Sequence, residues 1–335
     1  MSKNNSFDEI FQALQKAKRV LITLHPSPDG DSFGCCTAMK YFLERDFGTE
    51  TRLISPSPLA RDFAALPLAK EIEYIDISDV DTSAFDCTLL MDYGSQKSFS
   101  VKKMGNFSLP PSTFVINIDH HAVNDYAGTL NYVDSHQPSL CSLLVDFFIA
   151  QSVKFDTALA NRLLIGVCTD SGFFTYDTNP HKALKDALFL IQQGADYLNF
   201  VLRPILYNQP LALKLYFGYL FSHLKVNETL KCGYVSVPYE EIKKLGLNGA
   251  EARLGINELQ FIAEFDFVFT LIEYDDHIKG SFRSKKSVDV SLFAKALGGG
   301  GHKAAASFAL PLMPFVEAEQ KVFSAIRNIG IRKSA

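Results

Sequence analysis

The sequence predicts an α/β protein. An N-terminal parallel-sheet domain with helices on both faces is followed by a helical linker and a smaller α/β C-terminal domain. Three observations predict this. Short apolar runs alternate with helical patterns through the first half. From about Gly194 the pattern turns helical and is interrupted by Pro204 and Pro210. Strand-like runs then resume beyond residue 230. The 335 residues, 47% hydrophobic and 21% charged, suffice for two domains. The boundaries are set at 1–194, 195–225 and 226–335.

The elements follow in order. "MSKNNSFDEIFQALQKA" has no apolar signal core and reads as an amphipathic helix. "RVLITL", "ETRLIS", "EIEYIDI", "DCTLLMD" and "STFVINID" are apolar and rich in β-branched residues, so they read as strands. "SFGCCTAMKYFLERDF", "PSLCSLLVDFFIAQS", "TALANRLLIGVCTDS" and "HKALKDALFLIQQGA" read as helices between and after them. The segment "YLNFVLRPILYNQPLALKLYFGYLFSHL" forms the linker. The C-terminal part contributes "CGYVSVPYEEI", a helix around "GAEARLGINELQFIAEF", and the strands "DFVFTLIEYDD" and "IKGSFRS".

Acids and histidines recur directly after apolar runs. "LHPSPDGDSFG" carries His25, Asp29 and Asp31 just past the first strand. "LLMDYGS" ends on Asp92, "VINIDHHAVND" on Asp119, His120 and His121, and "LLIGVCTDSGFF" on Asp170. Any one alone has a plainer reading: the first as a polar turn, Asp92 or Asp170 as a helix N-cap. In a parallel sheet, however, the strand ends converge, and five aspartates and three histidines would meet at one edge. Clustered carboxylates repel by several kcal/mol each at an effective dielectric near ~20, so protons or a cation must sit among them. Mixed carboxylate and imidazole donors suit Mn²⁺, Mg²⁺ or Fe²⁺. So many donors can serve two ions, the usual arrangement for phosphoryl hydrolysis.

"GGGGHKAAASF", residues 298–308, offers glycines whose backbone N–H groups can approach an anion. The alanines that follow read as a helix whose N-terminus would add positive potential. Gly299, Gly300, Gly301 and His302, with Arg283 from "GSFRSKK", are the candidate substrate-binding residues.

Composition excludes several function classes. A net charge of −4 is wrong for coating long or duplex nucleic acid. The six cysteines are scattered with no C-x-x-C pair, which argues for a reducing compartment and against a zinc ribbon. Apolar runs are too short to span a bilayer, so a cytoplasmic chain without membrane contact is expected.

Taken together, "HPSPDGDSFG", the aspartate of "LLMDYGS", "IDHHAVNDYAG", "CTDSGFF" and "GGGGHKAAA" resemble the DHH phosphoesterases, in the branch with a DHH-associated C-terminal domain. The resemblance spans nearly the whole chain. It implies a two-domain phosphodiesterase or phosphatase with a dinuclear manganese centre in the interdomain cleft, Mg²⁺ or Fe²⁺ being alternatives. It further implies that His25 and Asp29 hold one ion, that Asp31, His120 and Asp170 hold the other, and that Asp92 bridges them. His121 would face the scissile phosphate, Asp119 would orient the histidines, and Arg283 with the Gly299–His302 loop would grip the substrate. Three positions depart from the family pattern: Cys35 follows Gly34 in place of Ser, Ser307 stands where a Gly is usual, and Lys97 is the nearest cation after Asp92.

The expected reaction is hydrolysis of short RNA oligonucleotides to mononucleotides, together with conversion of 3′-phosphoadenosine 5′-phosphate to AMP. Partners are then short RNA or small phosphorylated nucleotides, and a homodimer is left open. The alternatives are hydrolysis of linear dinucleotides from cyclic-dinucleotide signalling, an inorganic pyrophosphatase, and a non-catalytic nucleotide sensor.

Overall fold

A computed structural model of the chain describes residues 4–176, 179–285, 288–301 and 303–330. Two compact units divide between Asn208 and Gln209. The prolines of the helical segment frame that division. A π-helix Leu198–Tyr207, with Pro204 inside it, belongs to the first unit, and Pro210 caps the helix Leu211–Ser222 that opens the second.

The first unit holds strands β1 (Arg19–Thr23), β2 (Glu50–Ser55), β3 (Glu73–Tyr74), β4 (Cys87–Met91), β5 (Val115–Asp119) and β6 (Leu130–Val133). They form one sheet in the order β3-β2-β1-β4-β5-β6, and every pairing is parallel. β4 and β5 are buried along their whole length, as expected where both faces are covered. The run "EIEYIDI" yields only the two-residue edge strand β3, and β6 was not anticipated. Strand order reverses at β1, which lies between β2 and β4. A crevice at the strands' carboxyl ends belongs at that point.

The two faces are covered unequally. Long helices Gly30–Phe42, Leu140–Ala150 and Thr157–Asp170 pack on the face that presents Val20, Ile22, Leu89, Met91 and Ile116. The opposite face presents Leu21, Ile54 and Leu90 and is covered by residues such as Ile77, Phe99, Phe107 and Leu109. Helical cover there is limited to short 3₁₀ turns, because residues 94–112 are rich in Gly, Pro, Ser and Lys and lack a 3.6-residue apolar period.

Asp76 pins this second face. Its carboxylate accepts from the backbone N–H of Ser78 (2.9 Å), Val101 (2.8 Å) and Lys102 (3.1 Å) and from the Ser100 hydroxyl (2.6 Å). Burial alone would raise its pKa, but these bonds outweigh burial and bring it down to about 2. A depressed carboxyl stabilises the fold above its unfolded pKa and loses that contribution as pH falls through its folded pKa. Asp76→Asn is therefore expected to lower unfolding free energy by about 2 kcal/mol at pH 7 and by about 1 kcal/mol at pH 3. Urea unfolding at the two pH values checks this, and a pH-independent difference would refute it.

The second unit holds β7 (Lys225–Asn227), β8 (Cys232–Val237), β9 (Phe267–Glu273), β10 (His277–Ser284), β11 (Gly300–Gly301) and β12 (Ala305–Pro311), ordered β11-β12-β10-β9-β8-β7. Only β8 and β9 pair in parallel. Helices Val290–Ala296 and Phe315–Ile329 cover one face. Helices Leu211–Ser222, Tyr239–Leu245 and Gly249–Leu259 cover the other.

One expectation is overturned here. The alanines after the glycine run form strand β12, not a helix, so no helix N-terminus adds potential to that loop. Burial alternates along "AASFAL", and this period-two pattern overrides alanine's helical preference. The glycines are needed for the hairpin itself. A side chain at Gly301, whose φ is 139°, would meet the Ala306 Cα at 2.5 Å, and one at Gly299 would run into β12 backbone.

Candidate metal and active site

The carboxyl ends of β1, β4 and β5 deliver the anticipated residues to one place in the first unit. His25 lies two residues past β1, Asp92 one residue past β4, and Asp119 is the last residue of β5. Asp29 caps the helix Gly30–Phe42, its carboxylate accepting from the N–H of Asp31 and Ser32. That leaves Asp31 in the first turn, where it accepts from the N–H groups of Leu140 (2.5 Å) and Cys141 (2.9 Å) at the start of another helix. Asp170 closes the helix Thr157–Asp170.

The resulting cluster is tight. His120 Nε2 lies 3.3 Å from Asp92, 3.5 Å from Asp170 and 3.7 Å from Asp31. His25 Nε2 lies 3.7 Å from both Asp29 and Asp92. Donor atoms therefore gather into the groups His25–Asp29–Asp92, Asp31–His120–Asp170 and Asp92–His120–His121, each able to hold a metal ion. Asp92 belongs to two of them and so links the first donor group to the histidine pair.

Each histidine is held by its Nδ1. That of His25 is 2.9 Å from the Pro26 carbonyl, and that of His120 is 3.4 Å from the Gln137 carbonyl. Donation from Nδ1 leaves Nε2 as the ligating nitrogen. His121 Nδ1 is 2.7 Å from Asp119, which also accepts from the N–H of His120 (2.8 Å) and His121 (3.2 Å) and from Asn124 (2.6 Å).

The cluster is short of positive charge. Burial, then the carboxylates of Asp31, Asp29 and Asp170, push the Asp92 carboxyl well above the usual range. Burial and Asp31 push Asp170 up to about 7 although His120 opposes them. Burial raises Asp31 as well. Burial disfavours charge on His120, yet the surrounding acids raise its pKa. Asp92 is 2% exposed, and its Oδ2 has no hydrogen-bond partner among the described residues. A buried carboxylate oxygen without a donor costs ~1–3 kcal/mol or more. Its backbone is also held at φ 61°, a sparsely populated region for aspartate. Divalent cations fit this donor set, since they would neutralise the acids and satisfy Asp92 Oδ2.

Arg283, Gly299, Gly300 and Gly301 lie in the second unit. Arg283 stands on β10 opposite Ala305, and Gly301 on β11 opposite Ala306, so both occupy the same end of that sheet. Arg283 Nε donates to Asn257 at 3.0 Å and its Nη1 to the Phe282 carbonyl at 2.9 Å. His302 lies outside the described residues.

Two contributors escaped the sequence reading. The Tyr93 ring stacks on His25 with centroids 5.0 Å apart. Asn124 steadies Asp119 and is in turn held by Asn117, at 2.9 Å. The signal for the two asparagines was present: Asn117 is a polar residue inside an apolar strand, and Asn124 falls within the histidine motif.

Residues 19–167 match the DHH family, N-terminal domain, and residues 234–329 match the DHHA1 domain. The chain is 26% identical over 311 residues to the bifunctional oligoribonuclease and PAP phosphatase NrnA of Thermus thermophilus, covering 92% of this chain and 89% of that one. It is 23% identical to the Bacillus subtilis protein of the same description, covering 88% and 90%. Among solved structures, an exopolyphosphatase-related protein from Bacteroides fragilis superposes with a TM-score of 0.86 at 21% identity, over 96% of this chain and 95% of that one. Thermus thermophilus RecJ superposes with a TM-score of 0.51 at 14% identity, over 98% of this chain and 55% of that one. The two domain matches lead to one assignment: the chain carries a DHH family N-terminal domain followed by a DHHA1 domain.

Proposed function

We propose that the chain is a divalent-metal-dependent phosphoesterase that cleaves short oligoribonucleotides to mononucleotides and converts 3′-phosphoadenosine 5′-phosphate to AMP. The observation that carries this reading is Asp92, a buried carboxylate shared by two groups of metal-competent donors and, among the described residues, without a hydrogen bond at Oδ2. The relatives described as oligoribonuclease and PAP phosphatase over most of the chain support the substrate class.

His25, Asp29 and Asp92 would hold one ion, and Asp31, His120, Asp170 and Asp92 the other, with manganese our first choice over magnesium or iron. When bound, such ions lower the pKa of water toward neutrality and place positive charge against the phosphoryl oxygens. The protein's own groups do the rest. Asp119 fixes the His121 ring through Nδ1, so Nε2 is the nitrogen that meets the phosphoryl group. Hydrolysis breaks the bond from phosphorus to a ribose oxygen, and that oxygen needs a proton. His121 is the group we assign to carry it. Backbone N–H donors from Leu140 and Cys141 hold both oxygens of Asp31 and so orient its carboxylate.

In this reading residues 1–194 form the catalytic domain, 195–225 the linker and 226–335 the substrate-binding domain. Arg283 and the backbone of Gly299–Gly301 bind the nucleotide's anionic part. No described helix is long and apolar enough to cross a membrane. The six cysteines are buried and unpaired, which suits a reducing compartment.

The test is product analysis after incubation with Mn²⁺ and a dinucleotide, 3′-phosphoadenosine 5′-phosphate or pyrophosphate. Mononucleotides and AMP are expected. Phosphate released from pyrophosphate alone, or nucleotide binding with no turnover, would overturn the reading.

A further inference from the structure

A cavity of about 340 Å³ opens in the first unit at the carboxyl ends of β2 and β3. Pro56 and Pro58 line one side, Tyr74 and Val101 another, and Asp79 with Lys102 stand at its polar part. β2 neighbours β1, which leads into His25, and β3 lies one strand further out. The cavity is therefore one to two strand spacings, about 5–10 Å, from the strand end that carries His25. It shares the sheet edge with the acid cluster.

Its walls are rigid. Two prolines lock φ in the 56–58 turn, and the Ser55 hydroxyl donates to the Ser57 carbonyl at 2.6 Å. The opposite wall is the turn at 100–102, which Asp76 holds through its bonds to Ser100, Val101 and Lys102. That turn is also tied to the acid cluster. His25 stacks on Tyr93, and Tyr93 meets Phe99 edge-on with centroids 5.6 Å apart, one residue before the turn begins.

The lining is chemically mixed in a particular way. Tyr74 is 54% exposed and Val101 47%, so an aromatic ring and a branched aliphatic side chain stand open beside two prolines. Such a lining suits the flat face of a heterocycle, since any base can stack on an aromatic ring. Asp79 and Lys102 pair at 2.5 Å with side chains 40% and 62% exposed, offering an acceptor for sugar hydroxyls and a cation for phosphate. A cavity of this size has room for one nucleoside and lies at the small end of ligand pockets.

We propose that this cavity is a nucleoside subsite, in which Tyr74 stacks on one nucleobase of the oligonucleotide whose phosphate lies at the acid cluster. The inference rests on the phosphoesterase reading and adds to it a residue that selects for nucleotides over smaller phosphoesters. Preformed walls favour binding because little side-chain and loop freedom remains to be lost.

The experiment is a cycle of kcat/KM measurements. Wild type, Tyr74→Ala and Tyr74→Phe are each given an adenosine dinucleotide and its two analogues lacking one or the other base. Tyr74→Ala is expected to lose about 10-fold on the intact dinucleotide, as for loss of one stacked base. It should lose nothing on one of the two analogues, and Tyr74→Phe should restore wild-type values. An unchanged intact dinucleotide, or an equal loss on both analogues, overturns the subsite. A wild type inert toward every substrate overturns the phosphoesterase reading instead. In that event calorimetric binding of the same dinucleotide decides the subsite: 10-fold weaker binding by Tyr74→Ala supports it and equal binding overturns it.

Discussion

Asp92→Asn is expected to lower kcat/KM for a dinucleotide by at least roughly 10³-fold while leaving the chain folded. The reason is positional. Asp92 is the residue common to the group with His25 and Asp29 and the group with His120 and His121. An amide in its place keeps the volume and removes the charge. It offers a neutral oxygen where the proposed site would use an anionic one common to two donor groups. The same substitution takes one negative charge out of a buried cluster in which Asp31, Asp29, Asp170 and Asp119 all act on it.

Stability and activity should therefore separate. A ligand present at 100 times its dissociation constant stabilises by about 2.7 kcal/mol. For a chain of 335 residues that corresponds to a Tm rise of roughly 4 °C on adding Mn²⁺ to wild type. Asp92→Asn should lose most of that rise without a lower Tm in metal-free buffer. Differential scanning calorimetry with and without manganese reads both quantities. Full activity, or a wild-type response to manganese, would remove Asp92 from the centre of the site.

How far the sequence exposed this arrangement depended on the kind of signal. His25, Asp92, Asp119 and Asp170 were visible because each follows a long apolar run, and a polar residue there has few idle uses. Parallel strands then force His25, Asp92 and Asp119 to one edge, so that part of the cluster followed from topology without distances, whereas Asp170 arrives from the end of the helix Thr157–Asp170. Asn117 and Asn124 were less visible, since their role is a side-chain relay to Asp119 and no periodicity marks it. Tyr93 was hidden for a similar reason: an aromatic after a strand reads as core until its stacking on His25 is seen. The glycine run misled because alanines favour helix locally, whereas pairing with β10 decides their state here. The cavity beside β3 could not be foreseen, because it needs the 56–58 turn and the 100–102 turn, far apart in sequence, to face one another.

Gly166→Ala is expected to destabilise the fold by roughly 1–3 kcal/mol and to lower activity by about 10²-fold, although alanine is the better helix former. Gly166 lies within the helix Thr157–Asp170, where an exposed glycine would normally gain about 1 kcal/mol from alanine. Here a Cβ would fall well inside contact distance of the Cys141 sulfur and of Asp31 Oδ1. On the facing helix, a Cβ at Gly34 would meet the Arg162 carbonyl at 2.7 Å. The two helices thus approach backbone to backbone, and that approach brings Asp31 beside the helix that ends in Asp170. A methyl group at 166 must push Asp31 aside or part the helices, and either shift disturbs Asp31 and Asp170 at His120. Gly218 supplies the control: it sits in the helix Leu211–Ser222 with nothing near its absent Cβ, so Gly218→Ala should be neutral or stabilising by up to about 1 kcal/mol. Urea unfolding and dinucleotide kinetics on both variants decide the matter. If Gly166→Ala matched wild type in both, helix proximity would not be what holds Asp31 in the site.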